Sequence, residues 1–172
     1  MKKQIPSCLS LGNLFSGILS ILLSLTGHIG AAAALVLTGM VFDLFDGFAA
    51  RKLHAESQFG RDLDSLCDVV TFGAAPALLI YNVILHRLPI AGIILAGLFT
   101  ICGALRLARF NIQTEKKPGF VGMPITFAGG LLSVFSLFSA KLDMNLSVIM
   151  VALLSFLMIS RLHFPSLKKW LS

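Results

Sequence analysis

Charge is what this sequence has least of. Only 13% of its 172 residues are Asp, Glu, Lys or Arg, against about 25% in a soluble domain. Tyrosine and tryptophan occur once each. Aromatics interleaved with basic residues, the arrangement that stacks on bases, are missing, which argues against nucleic acid as the reason for the +6 net charge. The three cysteines, Cys8, Cys67 and Cys102, are far apart and form no C-x-x-C pair. No disulfide framework is implied, and the three read as small apolar packing residues. A polar tract long enough for a separate soluble domain is also lacking, so residues 1–172 are expected to form a single membrane domain.

What is present is apolar: 56% of residues are hydrophobic and the mean hydropathy is +0.89. A membrane helix needs about 20 mainly apolar residues. Six runs meet that length, roughly 7–27, 30–50, 63–85, 88–110, 122–140 and 145–164. The first follows Lys2 and Lys3 but has no A-x-A-like cleavage site directly after it, so it is read as a retained span. With both termini cytoplasmic, Lys2, Lys3, Arg51, Lys52, Arg61, Arg106, Arg109, Lys116, Lys117, Arg161, Lys168 and Lys169 lie inside. Arg87 and Lys141 lie outside. Twelve against two fixes the expected orientation by the positive-inside bias. The expected fold is therefore an all-α integral membrane bundle of six transmembrane helices. Gly39, Gly47, Gly73, Ala74, Ala75, Gly103, Gly129 and Gly130 are expected where helix backbones approach closely. Pro76 is expected to kink the third span.

The scarce acids are concentrated. Six of the eight fall in residues 43–68, DLFDGFAARKLHAESQFGRDLDSLCD. Asp43 and Asp46 are three apart at the end of span two, with Gly47 and Ala50 continuing that face. Gly60, Asp64 and Asp68 are spaced four apart and line one face of span three. Four carboxylates brought together at membrane depth repel, and each costs about 2.5–3.5 kcal/mol on insertion scales, so they need compensating charge. An all-oxygen set suits a hard divalent cation, Mg²⁺ or Mn²⁺, rather than zinc. Two such ions would also clamp a diphosphate. Gly47, Ala50 and Gly60 leave room for a nucleotide or diphosphate, or serve ordinary helix packing. Arg51 is placed to pair with a phosphate oxygen or to set topology.

These residues match the signature D-x2-D-G-x2-A-R-x8-G-x3-D-x3-D at Asp43, Asp46, Gly47, Ala50, Arg51, Gly60, Asp64 and Asp68. The chain thus resembles the CDP-alcohol phosphatidyltransferases. That resemblance implies a homodimeric helical membrane enzyme whose four aspartates bind two divalent cations, Mn²⁺ or Mg²⁺, with Asp68 also the general base. Asp43, Gly47, Ala50, Arg51 and Gly60 would contact the CDP-linked lipid. The stretches 59–81, 103–111 and 119–130 are similar to the serine-using bacterial and archaeal branch. They imply CDP-diacylglycerol as donor and L-serine as acceptor, at the cytoplasmic face of the cell membrane.

Arg106 and Arg109, three apart at the cytoplasmic end of span four and followed by Asn111, are candidates to bind the acceptor. An arginine grips a carboxylate bidentately, but glycerol 3-phosphate or an inositol phosphate would call for the same cations. Asn13, in the first span, is a candidate contact for the nucleotide or metal site, or an interhelical amide. His28, His86 and His163 are assigned no role, and His54 lies in the loop beside the motif. A different class, an ion-coupled carrier, would also use intramembrane acids. Acids gathered at one membrane face and no inverted repeat weigh against it.

Overall fold

The computed structural model describes residues 5–53, 57–113, 122–139 and 143–160. Lys2, Lys3, Lys116, Lys117, Lys141, Arg161, Lys168 and Lys169, which carry part of the topology argument above, lie outside them, as do His54 and His163. Every described element is helical: α1 (Ile5–Leu25), α2 (Ile29–Lys52), α3 (Gln58–Asp68), a π-helical segment (Val69–Ala74), α4 (Ala75–Val83), a 3₁₀ turn (Leu85–Arg87), α5 (Pro89–Gln113), α6 (Ile125–Ser139) and α7 (Met144–Ile159). Four helical stretches are long and apolar enough to cross a bilayer: Pro6–Leu25, Ile29–Lys52, Gln58–Val83 and Pro89–Ile112. The last two expected spans are present as apolar helices of 15 and 16 residues. At 1.5 Å per residue they are about 22–24 Å long, short of a hydrocarbon core of about 30 Å.

Helix α1 shows which solvent the fold is built for. Ser10, Asn13, Ser16, Ser20 and Ser24 are buried, whereas Leu11, Phe15, Ile18, Leu22 and Leu25 are exposed. Both stripes repeat every three or four residues, so the helix turns its polar face inward and its apolar face outward. The hydroxyls are satisfied inside: Ser16 bonds the Gly12 carbonyl one turn back, and Ser20 crosses to the Ala32 carbonyl at 2.8 Å. Burying polar groups while exposing leucines is stable only where the surroundings are hydrocarbon. The chain is a multi-pass membrane protein.

The third span is longer than the sequence pattern suggests and is broken. It begins at Gln58, where the Ser57 side chain accepts the Gly60 N–H at 3.0 Å and caps the first turn. After Asp68 the backbone widens into the π segment, and the Ala75 N–H bonds the Val70 carbonyl five residues back. Pro76 lies in the first turn of α4, where its missing N–H is least costly. The expected disturbance at Pro76 thus takes the form of a π turn directly after Asp68.

Around this segment the core closes on Phe72, Phe99, Ile125, Leu132 and Met158, all essentially inaccessible. Gly129 of α6 lies against the Phe72 backbone so closely that a Cβ there would collide with the Phe72 carbonyl oxygen. Gly39, Gly73, Gly103 and Gly130 likewise face neighbouring helices. Gly47 does not, because its open side is filled by the Arg51 guanidinium one turn on, at 3.4 Å from where a Cβ would stand.

Candidate active site

Two helix ends carry the carboxylates. The short connection between α2 and α3 puts Asp43 and Asp46 beside Asp64 and Asp68 at one end of the bundle. Asp46 and Asp68 are each 5% exposed, and Asp43 and Asp64 are half-buried. One oxygen from each of Asp43, Asp64 and Asp68 lies within 4.8 Å of the others. Asp46 lies against Asp64 at the edge of this group.

Neutral donors hold the cluster in place. Ser10 of α1 donates to Asp46 Oδ2 at 2.9 Å, Asn13 of α1 donates to Asp68 Oδ1 at 3.0 Å, and Thr126 of α6 donates to Asp43 Oδ2 at 3.3 Å. These bonds orient the carboxylates without cancelling their charge. Asp64 Oδ1 is buried with no hydrogen-bond partner, a costly condition for an acceptor in a low-dielectric site. Oxygens around a hard cation at about 2.1 Å stand about 3–4.2 Å apart. The spacing of the three acids and the orphaned Asp64 oxygen therefore both fit a divalent ion held by Asp43, Asp64 and Asp68, with Asp46 adjoining.

The remaining sequence-predicted residues divide into two sets. Ala50 and Gly60 are half-buried, and Arg51 is exposed, folded back over Gly47. Arg106 is 8% exposed, lies within electrostatic reach of Asp68, and has its guanidinium 5.7 Å from the Phe110 ring centre. Its Nε is buried without a hydrogen-bond partner. Arg109 points elsewhere: it is exposed and donates to the Ile159 carbonyl at 3.3 Å, tying α5 to the end of α7. Asn111 donates to the Ser65 hydroxyl at 2.9 Å, which braces α5 against α3 next to Asp64. Asn13 is fully buried, its amide nitrogen committed to Asp68.

Sequence reasoning missed Ser10, Ser65, Thr71 and Thr126. Ser10 had a readable signal, since it shares the three-four stripe of Asn13, Gly17, Ser20 and Ser24 in an otherwise apolar run. Ser65 and Thr126 had none, because their partners, 46 and 83 residues away, are set by tertiary packing.

The sequence model of the CDP-alcohol phosphatidyltransferase family matches residues 3–162. The chain is 47% identical over 165 residues to the CDP-diacylglycerol–serine O-phosphatidyltransferase of Bacillus subtilis, covering 96% of this chain and 92% of that protein. It is 42% identical over 166 residues to the archaetidylserine synthase of Methanothermobacter thermautotrophicus, covering 94% and 69% respectively. A CDP-diacylglycerol–serine O-phosphatidyltransferase of Methanocaldococcus jannaschii is 42% identical over 155 residues, covering 89% and 69%. The chain belongs to the CDP-alcohol phosphatidyltransferase family.

Proposed function

We propose that this CDP-alcohol phosphatidyltransferase joins the phosphatidyl group of CDP-diacylglycerol to the hydroxyl of L-serine and releases CMP. The observation that carries the acceptor assignment is Arg106, a buried arginine with an unpartnered Nε within electrostatic reach of Asp68. A fixed cation beside the base is what an amino-acid acceptor needs: its carboxylate anchors on the guanidinium while its hydroxyl reaches the acid. Relatives named for serine, at 42–47% identity, support the same choice.

Asp43, Asp46, Asp64 and Asp68 would hold two divalent cations, Mn²⁺ or Mg²⁺. When bound, these supply charge neutralisation for the donor's diphosphate. Ala50 and Gly60 give the donor access to the helix backbones, and Arg51, held over Gly47, meets a phosphate oxygen there. Asp68 accepts the proton of the serine hydroxyl. The hydroxyl oxygen bonds to the phosphorus that carries diacylglycerol, and the bond from that phosphorus to the bridging oxygen breaks. CMP departs with the bridging oxygen. The site lies at the cytoplasmic face of the cell membrane, and the enzyme works as a homodimer.

The test supplies purified protein with CDP-diacylglycerol and Mn²⁺ or Mg²⁺, offers L-serine, glycerol 3-phosphate, inositol and inositol phosphate separately, and follows CMP and lipid product. Phosphatidylserine formed only with serine is the expected result. Product with another acceptor and not serine would overturn the serine assignment and leave the family chemistry intact.

A further inference from the structure

The first helix enters the catalytic cluster through a contact unlike the others. Asn13 donates from Nδ2 to Asp68 Oδ1 at 3.0 Å, and both residues are buried, at 0% and 5% exposure. The Asn13 main chain is held as well. Its carbonyl accepts the Thr71 hydroxyl at 3.0 Å, and Thr71 lies one turn beyond Asp68 inside the π segment. Two bonds from one residue therefore grip two successive turns of the third span, on either side of the point where its backbone changes register. The space for this grip is made by missing side chains. A Cβ on Gly17 would strike the Thr71 backbone, and one on Gly39 would stand 2.6 Å from Thr71 Cγ2 and 2.8 Å from Asn13 Oδ1.

An interhelical amide needed only for packing would be expected to use both ends. Asn13 Oδ1 is buried and has no partner, so one half of the amide is left unsatisfied while the other is spent on Asp68. An unmet buried acceptor costs about 1–3 kcal/mol, an expense that aiming the acid would justify. A π turn at this point has the same sense, since such turns occur often at functional sites and re-aim the residues beside them.

We propose that Asn13 is a positioning residue for Asp68. Its side-chain amide fixes one carboxylate oxygen, and the Thr71 bond to its main-chain carbonyl holds the residue in place, so that the other oxygen of Asp68 is presented to the acceptor hydroxyl. In this role Asn13 acts through Asp68 rather than directly on lipid donor, acceptor or nucleotide. The inference rests on Asp68 being the base in the transfer proposed above.

The test is steady-state kinetics of Asn13→Leu and Asn13→Asp at saturating Mn²⁺, with Ser20→Ala as a control. Ser20 also makes a buried bond from α1 to another helix, but to the Ala32 carbonyl, away from the acids. The expected result is a fall in kcat of about 10- to 100-fold in Asn13→Leu, the scale of a slightly misplaced catalytic group. The KM for CDP-diacylglycerol and for serine stay within about threefold of wild type, as expected where only transition-state contacts are lost. Ser20→Ala keeps its kcat per folded protein. Asn13→Asp, close in shape, exchanges the neutral amide donor for a second acid set against Asp68; it loses at least as much as Asn13→Leu, and it decides the matter if the leucine variant does not fold. Wild-type kcat in a folded Asn13 variant, a loss confined to one KM, or kcat restored by raising Mn²⁺ further would each overturn the proposal. A wild-type protein that makes no phosphatidylserine would instead defeat the transfer reading, a result obtained before any variant is made.

Discussion

At the scale of single residues, the roles proposed for Asp68 as proton acceptor and Arg106 as anchor predict that the two fail differently. Asp68→Asn keeps the shape and the bond to Asn13 but cannot take a proton. Its kcat should fall by about 10²–10⁴-fold, the worth of general base catalysis, while CDP-diacylglycerol binding measured by titration persists. Wild-type turnover would remove Asp68 as the base. Arg106→Ala should raise the KM for serine by about 10- to 100-fold, the equivalent of about 1.5–3 kcal/mol for a charged hydrogen bond. The KM for the lipid donor should change little, and the reverse pattern would move Arg106 to the diphosphate. The aspartates were legible in the sequence because their three- and four-residue spacings need only helix geometry to bring each pair onto one face. The separation of Arg106 from Arg109 was not. Both end the same helix three residues apart, and only the packing of α7 against α5 sends Arg109 to the Ile159 carbonyl.

Among the elements, the broken third span governs the site. A continuous α-helix would carry its residues on from Asp68 with a 3.6-residue repeat. The π segment at Val69–Ala74 changes that phase, turning Thr71 toward α1 and the Phe72 backbone toward α6. Pro76 advertised a disturbance here, but the sequence did not show that it would begin directly after Asp68, since register depends on what α1 and α6 present. Gly129 is the counterpart on α6. Gly129→Ala places a methyl group on the Phe72 carbonyl, and overpacking of this kind costs about 1–3 kcal/mol. The variant should melt at a lower temperature in detergent than wild type, as followed by loss of helical circular dichroism. An unchanged melting temperature would mean that α6 does not brace the π turn. The spans were predicted one to five residues off at their starts: α1, α2, α3 and α7 begin earlier because apolar runs mark lipid depth whereas helices continue into their caps, as α3 does back to Gln58, while α5 and α6 begin one and three residues later.

For the whole molecule, the inverted polarity of α1 and the concentration of charge at one end are the two facts that count. Arg51, Lys52, Arg61, Arg106 and Arg109 share the end that holds the acids, because Asn111 of α5 bonds Ser65 of α3 there. Arg87 lies at the opposite end of α5. If the acidic end is cytoplasmic, a membrane-impermeant maleimide should label Arg87→Cys in intact cells and Lys52→Cys only after lysis, in a background lacking the exposed Cys8. The opposite labelling would invert the topology.

The central claim is that a serine hydroxyl, activated beside Asp68, displaces CMP from the phosphorus bearing diacylglycerol. Serine labelled with ¹⁸O in its hydroxyl tests it most directly, with CDP-diacylglycerol, Mn²⁺ and mass analysis of both products. The account predicts phosphatidylserine that retains the label and CMP that carries none. Label in a serine ester of CMP, with phosphatidic acid as the other product, would place the attack on the wrong phosphorus and contradict it.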